Sequence, residues 1–377
     1  MPQRPLVLAA LSALLLAACS AAGTSAATDA RTTPPVVTSP PASTSPAAEP
    51  SGAPGDDQPV GATPAAPSTV TLAFGGDVHF ANQLAPRLDD PAGALAELRP
   101  YLATADLAMV NLETAITTRG SEQPKTFHFR ATATALDALA GAGVDVVTMA
   151  NNHAVDYGPA GLADTLSARA ASPLPVVGLG RDRADALRPA VLTTHGVRVA
   201  FLGATQVPDW TLATWSATTS RPGVASAADP ARLAAAVRQA RTQADVVVVY
   251  LHWGTDYTGC PNPLQRRTAA ALAEAGADVV VGTHAHRVQG AGWLGESYVA
   301  YGLGNFVWWR RNSELDSRSG VLTLTLTGRR VVAERWTPLR VSADGIPREP
   351  DVTESRRLRE QWRESRSCTG LAGPSTS

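Results

Sequence analysis

The sequence is short of cysteine, of lysine and of long apolar runs. It holds three cysteines in 377 residues, Cys19, Cys260 and Cys368, so each is read by itself and not as part of a repeated pattern. Lysine is nearly absent and alanine abundant, a bias of composition more than of chemistry. Charge of either sign is not in excess: the formal net charge is −1. That balance gives no electrostatic reason to expect nucleic acid as a partner. The apolar run at 5–18 is shorter than the roughly 20 residues a membrane-spanning helix needs. No internal repeat is visible.

What that apolar run does offer is an address. Arg4 precedes it, and it ends in Leu16-Ala17-Ala18-Cys19. A basic start, a short apolar core and small residues before a cut site read as a secretory signal over 1–19. The string LAAC is similar to a bacterial lipobox, which makes Cys19 the expected lipidation site. An uncleaved anchor and an ordinary signal peptide are the alternatives. A lipidated chain would be exported and held on the outer face of the cell membrane, the membrane being its partner through the anchor.

Residues 20–68 contain ten prolines and no aromatic residue. Such a segment cannot bury enough apolar surface to offset chain entropy and reads as a disordered Pro/Ala/Ser/Thr linker. As a mixed coil its 49 residues would span about 40 Å. From residue 69 to about 345 short β-branched runs alternate with Ala/Leu-rich stretches. Strands are expected at 70–74, 107–111, 144–150, 198–203, 245–251, 278–282, 298–302 and 321–327, the last continuing into 331–336 as a hairpin. Helices are expected at 93–103, 133–142, 159–171, 230–243 and 263–275, several opening on proline. This alternation predicts one α/β domain. Residues 346–377 read as a C-terminal tail, loose beyond Thr369, and His195-Gly196 as a hairpin turn. Cys260 and Cys368 are a lone pair in an exported chain, so a disulfide between them is expected.

Polar clusters follow the strands, where α/β sheets place their ligands. They hold Asp77 and His79, Glu113, Asn152 and His153, His252, His284 and His286, and Asn305. Each alone is more often a capped turn, a salt bridge or a core histidine. Together they form a nitrogen-and-oxygen donor set suited to Mn, Fe or Zn. Residues two apart on extended chain share a face, so Asp77 with His79, and His284 with His286, would each aim two ligands at one point.

The strings FGGDVHF, NLETAIT, ANNHAVDYG, HWGTDY, GTHAHRVQG and YGLGNFVW, in that order, resemble the motifs of the CapA (poly-γ-glutamate capsule synthesis) family, whose domain is similar to calcineurin-like metallophosphoesterases. The resemblance implies a four-layer α/β/β/α sandwich holding two divalent metal ions. By that pattern Asp77, His79 and His286 would bind one ion, Asn152, His252 and His284 the other, with Glu113 between them. His153 matches the general acid. Ala154 stands where an acidic residue usually follows that histidine, which leaves Asp156 to orient it. Glu113 is one methylene longer than the usual bridging Asp. Arg130, Arg287 and Asn305 flank the motifs as candidate substrate holders, although surface or turn roles suit them as well. The expected function is a metal-dependent hydrolase of phosphoester type associated with capsule or poly-γ-glutamate synthesis. The alternative is a non-catalytic accessory that binds or helps export an anionic capsule polymer or meets its synthesis machinery.

Overall fold

Residues 68–374 are described by a computed structural model; the leader with Cys19, and the linker as far as residue 67, lie outside the described residues. The principal strands are, in chain order, β1 (Thr69–Val78), β2 (Leu107–Leu112), β3 (Val146–Thr148), β4 (Val176–Val177), β5 (Ala190–Thr194), β6 (Val197–Thr205) and β7 (Val246–Trp253). They continue as β8 (Val279–His284), β9 (Ala291–Leu294), β10 (Ser297–Ala300), β11 (Asn305–Val307), β12 (Arg318–Thr327), β13 (Arg330–Val341) and β14 (Pro347–Arg348). The principal helices are α1 (Thr134–Gly141), α2 (Gly158–Ala171), α3 (Pro230–Arg241), α4 (Pro263–Glu274) and α5 (Val352–Glu364).

The strands form two large sheets. One has eight strands in the order β14-β13-β12-β1-β2-β3-β4, with β11 beside the end of β1. It is parallel from β1 to β4 and antiparallel from β1 through β12, β13 and β14. The other has six, β9-β10-β8-β7-β6-β5, parallel from β10 to β6 with an antiparallel strand at each edge. His195 and Gly196 both take positive φ in the turn that joins β5 to β6.

Alternation along the strands explains the layering. Leu72 and Phe74 of β1 meet Val248, Tyr250, Val279 and Val281 in a core between the two sheets. The intervening Ala73 faces outward into a second core with Leu136 and Leu139 of α1. Val247, Val249 and Val280 point the other way, to Leu233 and Val237 of α3 and Leu272 of α4. The central parallel strands of each sheet are thus buried on both faces, so they read as unbroken apolar runs. The result is the α/β/β/α sandwich the motifs imply.

Helix starts follow local rules. Asp229 accepts from the Ala231 N–H at the head of α3, and Asn262 with Gln265 forms a capping box on α4. The helix expected at 93–103 is instead a short 3-10 turn, Ala96–Leu98, followed by the single turn Arg99–Leu102, with Pro100 at its start.

The C-terminal segment departs from the expectation of a tail. Asp351 caps α5, and Trp362 stacks on Trp336 of β13 at 4.3 Å. Beyond it a disulfide joins Cys368 to Cys260, and Ala372 pairs with the backbone of Trp293. The domain therefore runs on past 345 to the end of the described residues.

Candidate metal centre

The two sheets meet closely where their central strands end. The Tyr250 hydroxyl donates to the Gly75 carbonyl at 2.6 Å. Within each sheet the chain is also close: a side chain at Gly76 would strike the Gly304 carbonyl oxygen, and one at Gly282 would strike the Trp253 indole, so both approaches require glycine.

Asp77, at the end of β1, lies beside Asn111 of β2 and Asn305 of β11. It is fully buried. Its Oδ1 accepts from Asn111 Nδ2 at 2.8 Å and its Oδ2 from the His284 backbone N–H at 3.1 Å. One carboxylate thus ties the first sheet to the second. Glu113 follows β2 and is also fully buried, yet neither carboxylate oxygen has a hydrogen-bond partner. Its Oε1 stands 3.5 Å from His252 Nε2 and 3.7 Å from His153 Nε2. Burial, then the Asp77 charge, pushes the Glu113 carboxyl well above its ordinary range.

His252 ends β7. Its Nε2 lies 2.9 Å from Asn152 Oδ1, and its Nδ1 lies 3.7 Å from Asp77 Oδ1. Burial brings its pKa down to about 4. His284 ends β8, its ring 4.8 Å from that of His252, and its buried Nδ1 has no partner. Its Nε2 is 3.1 Å from Asp256 Oδ1. Ligand atoms of Glu113, His252 and His284 all lie within 4.8 Å of one another.

His284 and His286 come together by a different route from strand alternation. Both take positive φ, +88° and +50°, where a residue with a Cβ is strained. That turn sets their rings 6.0 Å apart. His286 Nδ1 lies 2.8 Å from Asn305 Oδ1, which leaves Nε2 as its ligating nitrogen.

His153 sits at the rim of this group. Its Nδ1 is 2.6 Å from Asp156 Oδ2, which also accepts from the Phe129 N–H at 2.7 Å. This pairing assigns the ring proton to Nδ1, so Nε2 is the nitrogen facing Glu113. Burial lowers the His153 pKa to about 4.

A divalent metal fits this donor set. An orphaned buried carboxylate, an orphaned imidazole nitrogen and neutral histidines around them are what a cation would satisfy. Asp77, Glu113, Asn152, His252, His284 and His286 are the residues placed to hold it.

His79 departs from the expectation. Its ring stacks on Phe129 at 4.5 Å and meets Trp308 edge-on. Its Nδ1 lies 3.0 Å from the Ala81 N–H and its Nε2 3.3 Å from the Trp309 N–H; a neutral imidazole accepts at only one of them, but in this rotamer both nitrogens are turned to backbone amides and not to the other donors. The three substrate candidates also move. Arg287 is paired with Asp316, which cancels its charge locally. Asn305 is buried and orients His286, and it also lines the opening. Arg130 lies with its guanidinium 4.7 Å over the Tyr157 ring, away from the opening. The opening is a cavity of about 50 Å³ walled by Phe127, Tyr257, Trp308, Trp309 and Arg310.

Sequence reasoning passed over Asn111, Asn151 and Lys125. Asn151 Nδ2 donates to Asn111 Oδ1 at 2.9 Å and its own Oδ1 accepts from the His153 N–H at 3.0 Å. Both asparagines sit inside the quoted strings, Asn151 directly before Asn152 and Asn111 two residues before Glu113. Lys125 was marked only by its rarity.

The family model for the bacterial capsule synthesis protein PGA_cap matches residues 71–308. The PGA biosynthesis protein CapA of Bacillus subtilis is 30% identical over 298 residues, 76% of this chain and 77% of that protein. The capsule biosynthesis protein CapA of Bacillus anthracis is 34% identical over 226 residues, which span 57% of this chain and 54% of that relative. Among solved structures, a phosphatase of Mycoplasma pneumoniae is similar over 78% of this chain and 98% of its own, with 14% identity and a TM-score of 0.47. On the span of the model and the identity to the Bacillus subtilis protein, the chain belongs to the bacterial capsule synthesis protein PGA_cap family.

Proposed function

We propose that this domain is a metal-dependent hydrolase of phosphoester type, working outside the cell in capsule or poly-γ-glutamate synthesis. Its partners would be the membrane, through a lipid on Cys19, and the capsule polymer or its synthesis machinery. The observation that carries the catalytic reading is Glu113, whose two fully buried oxygens have no hydrogen-bond partner and face two histidines. A carboxylate left so costs stability unless a cation completes it.

Two divalent ions of Mn, Fe or Zn held there would supply Lewis acidity and an activated water near neutral pH. The protein's own groups do the rest. Asp77 and Asn111 fix the donors of the two sheets in one frame. His153, oriented by Asp156, presents Nε2 to a bound group as the proton-exchanging atom. Phe129 and Trp308 restrict water on that side.

The test compares wild type with His252→Ala and His153→Ala for metal content and for turnover of phosphoesters and γ-glutamyl amides. His252→Ala is expected to lose metal. His153→Ala is expected to keep it while turnover falls by about 10²–10⁴-fold. Metal and phosphoester turnover surviving in both variants would sink the reading. One observation favours the accessory alternative: with His79 engaged, the site at Asp77 and His286 has one donor fewer. Binding of an anionic polymer with no turnover by the metal-loaded protein would decide for it.

A further inference from the structure

We infer that Lys125 is a positioning residue of this centre, and that it is lysine because arginine cannot take its place. The inference rests on the hydrolase reading above.

The chain holds 32 lysines and arginines together, and Lys125 is the only lysine. A composition that turns every other cation into arginine kept an ammonium at one position. That position is inside the site. The Lys125 side chain is only 12% exposed. Its Nζ stands 2.9 Å from Asp156 Oδ1, 2.5 Å from the Asn152 carbonyl oxygen and 3.8 Å from Asp209 Oδ2. His153 Nδ1 is 3.4 Å away.

The three oxygens surround a point; the protonated His153 Nδ1 is a neighbour and not one of the acceptors. An ammonium offers three donors from one atom, whereas a guanidinium spreads five across a plane. Arginine would place its charge beyond the point and leave some of these acceptors unmet.

The grip falls on two adjacent residues with different tasks. Asn152 offers its side chain to the metal group, and His153 exchanges the proton through Nε2. Lys125 holds the carbonyl between them. It also forms an ion pair, without a hydrogen bond, with the far oxygen of Asp156, while Oδ2 meets His153 and the Phe129 N–H. A lysine that merely neutralised a buried carboxylate would need Asp156 alone. Lys125 further anchors the segment that supplies Phe127 and Phe129 to the pocket wall, a segment also pinned by the Gln123 N–H on the Asp156 carbonyl at 2.9 Å.

The experiment has two readouts on the full chain. First, growth on lysine carrying carbon-13 at Cε gives one lysine signal, which Mn²⁺ should broaden away as it binds. A signal unchanged while Mn²⁺ binds stoichiometrically overturns the inference without any variant. Second, Lys125→Met and Lys125→Arg should each lower kcat on a phosphodiester probe by about 10–100-fold with KM within about twofold. Circular dichroism and thermal melting check that both stay folded. Wild-type kcat in Lys125→Arg, or a loss confined to KM, overturns the inference and leaves the hydrolase reading standing. Wild type that takes up no metal overturns the hydrolase reading, and this one with it.

Discussion

Replacing Glu113 by glutamine should make the metal-free protein more stable and deaf to metal. In the metal-free protein Glu113 is a fully buried carboxylate with two unpartnered oxygens and Asp77 nearby. An unsatisfied buried polar group costs about 1–3 kcal/mol, and a charged one more. Glutamine keeps the shape and removes the charge. For a domain of this length the unfolding entropy is about 0.6 kcal/mol per degree, so relief of about 2 kcal/mol raises Tm by roughly 3 °C. Wild type should instead gain about 2.7 kcal/mol, roughly 4 °C, from metal at a hundredfold excess over Kd, and Glu113→Gln nothing comparable. The pH dependence has a definite sign. The folded state holds the Glu113 proton more tightly than the unfolded chain, so wild-type stability falls as pH rises from about 4.5 through the raised value. The advantage of Glu113→Gln over metal-free wild type therefore widens as pH rises above the ordinary carboxyl value of 4.5. Calorimetry in chelator and in Mn²⁺ or Zn²⁺ measures all three effects. A variant that melts at or below wild type in chelator would show that Glu113 is not orphaned, and the argument for a metal would fail.

His79→Phe should retain wild-type metal content, because both ring nitrogens are turned to backbone amides; metal loss matching that of His252→Ala would restore His79 to the ligand set. Reducing the disulfide, or Cys368→Ser, opens a loop of sequence separation 108 and should cost about 4–5 kcal/mol, or roughly 7 °C in Tm. An unchanged melt would mean the C-terminal contacts hold without it. Trp362→Ala removes a stacked indole that is 5% exposed and should cost about 3–5 kcal/mol with metal content unchanged. A melting shift within about 1 °C would refute the packing of α5 as a stabilising contact.

The strands at the centre of both sheets were legible because burial on two faces writes them as runs such as 246–251, which nothing but a buried strand or helix explains. Edge strands were not. Ala190–Thr194 alternates half-buried and exposed residues, so it carries no such run. The C-terminal helix was hidden by its charge, since arginine and glutamate dominate 352–364. Yet Ser355, Leu358 and Trp362 recur at helical spacing and are the residues it buries. The site divides in the same way. Residue types and their order named the donors. Their roles as partners were not legible, because Arg287 is cancelled by Asp316 and Asn305 is turned to His286 by contacts between segments distant in sequence.

The centre and the fold's principal joint are one structure. Two sheets that share an apolar core need no polar contact to stay together, yet at their strand ends the Tyr250 hydroxyl, the Asp77 carboxylate and the Asn111 amide cross the gap. Each crossing lands on a residue beside or within the donor group. The strain at His284 and His286 sits on the second sheet's side of the joint, and the orphaned Glu113 on the first. A cation bound between them would satisfy Glu113 and complete the turn at the same point. Metal should therefore stiffen the approach of the two sheets as well as the side chains that touch it. Hydrogen exchange offers the check: amides at the ends of β1 and β8 should slow on metal addition, while those of the β12–β13 hairpin should not. Slowing spread evenly over the domain would mean that metal acts through global stability alone.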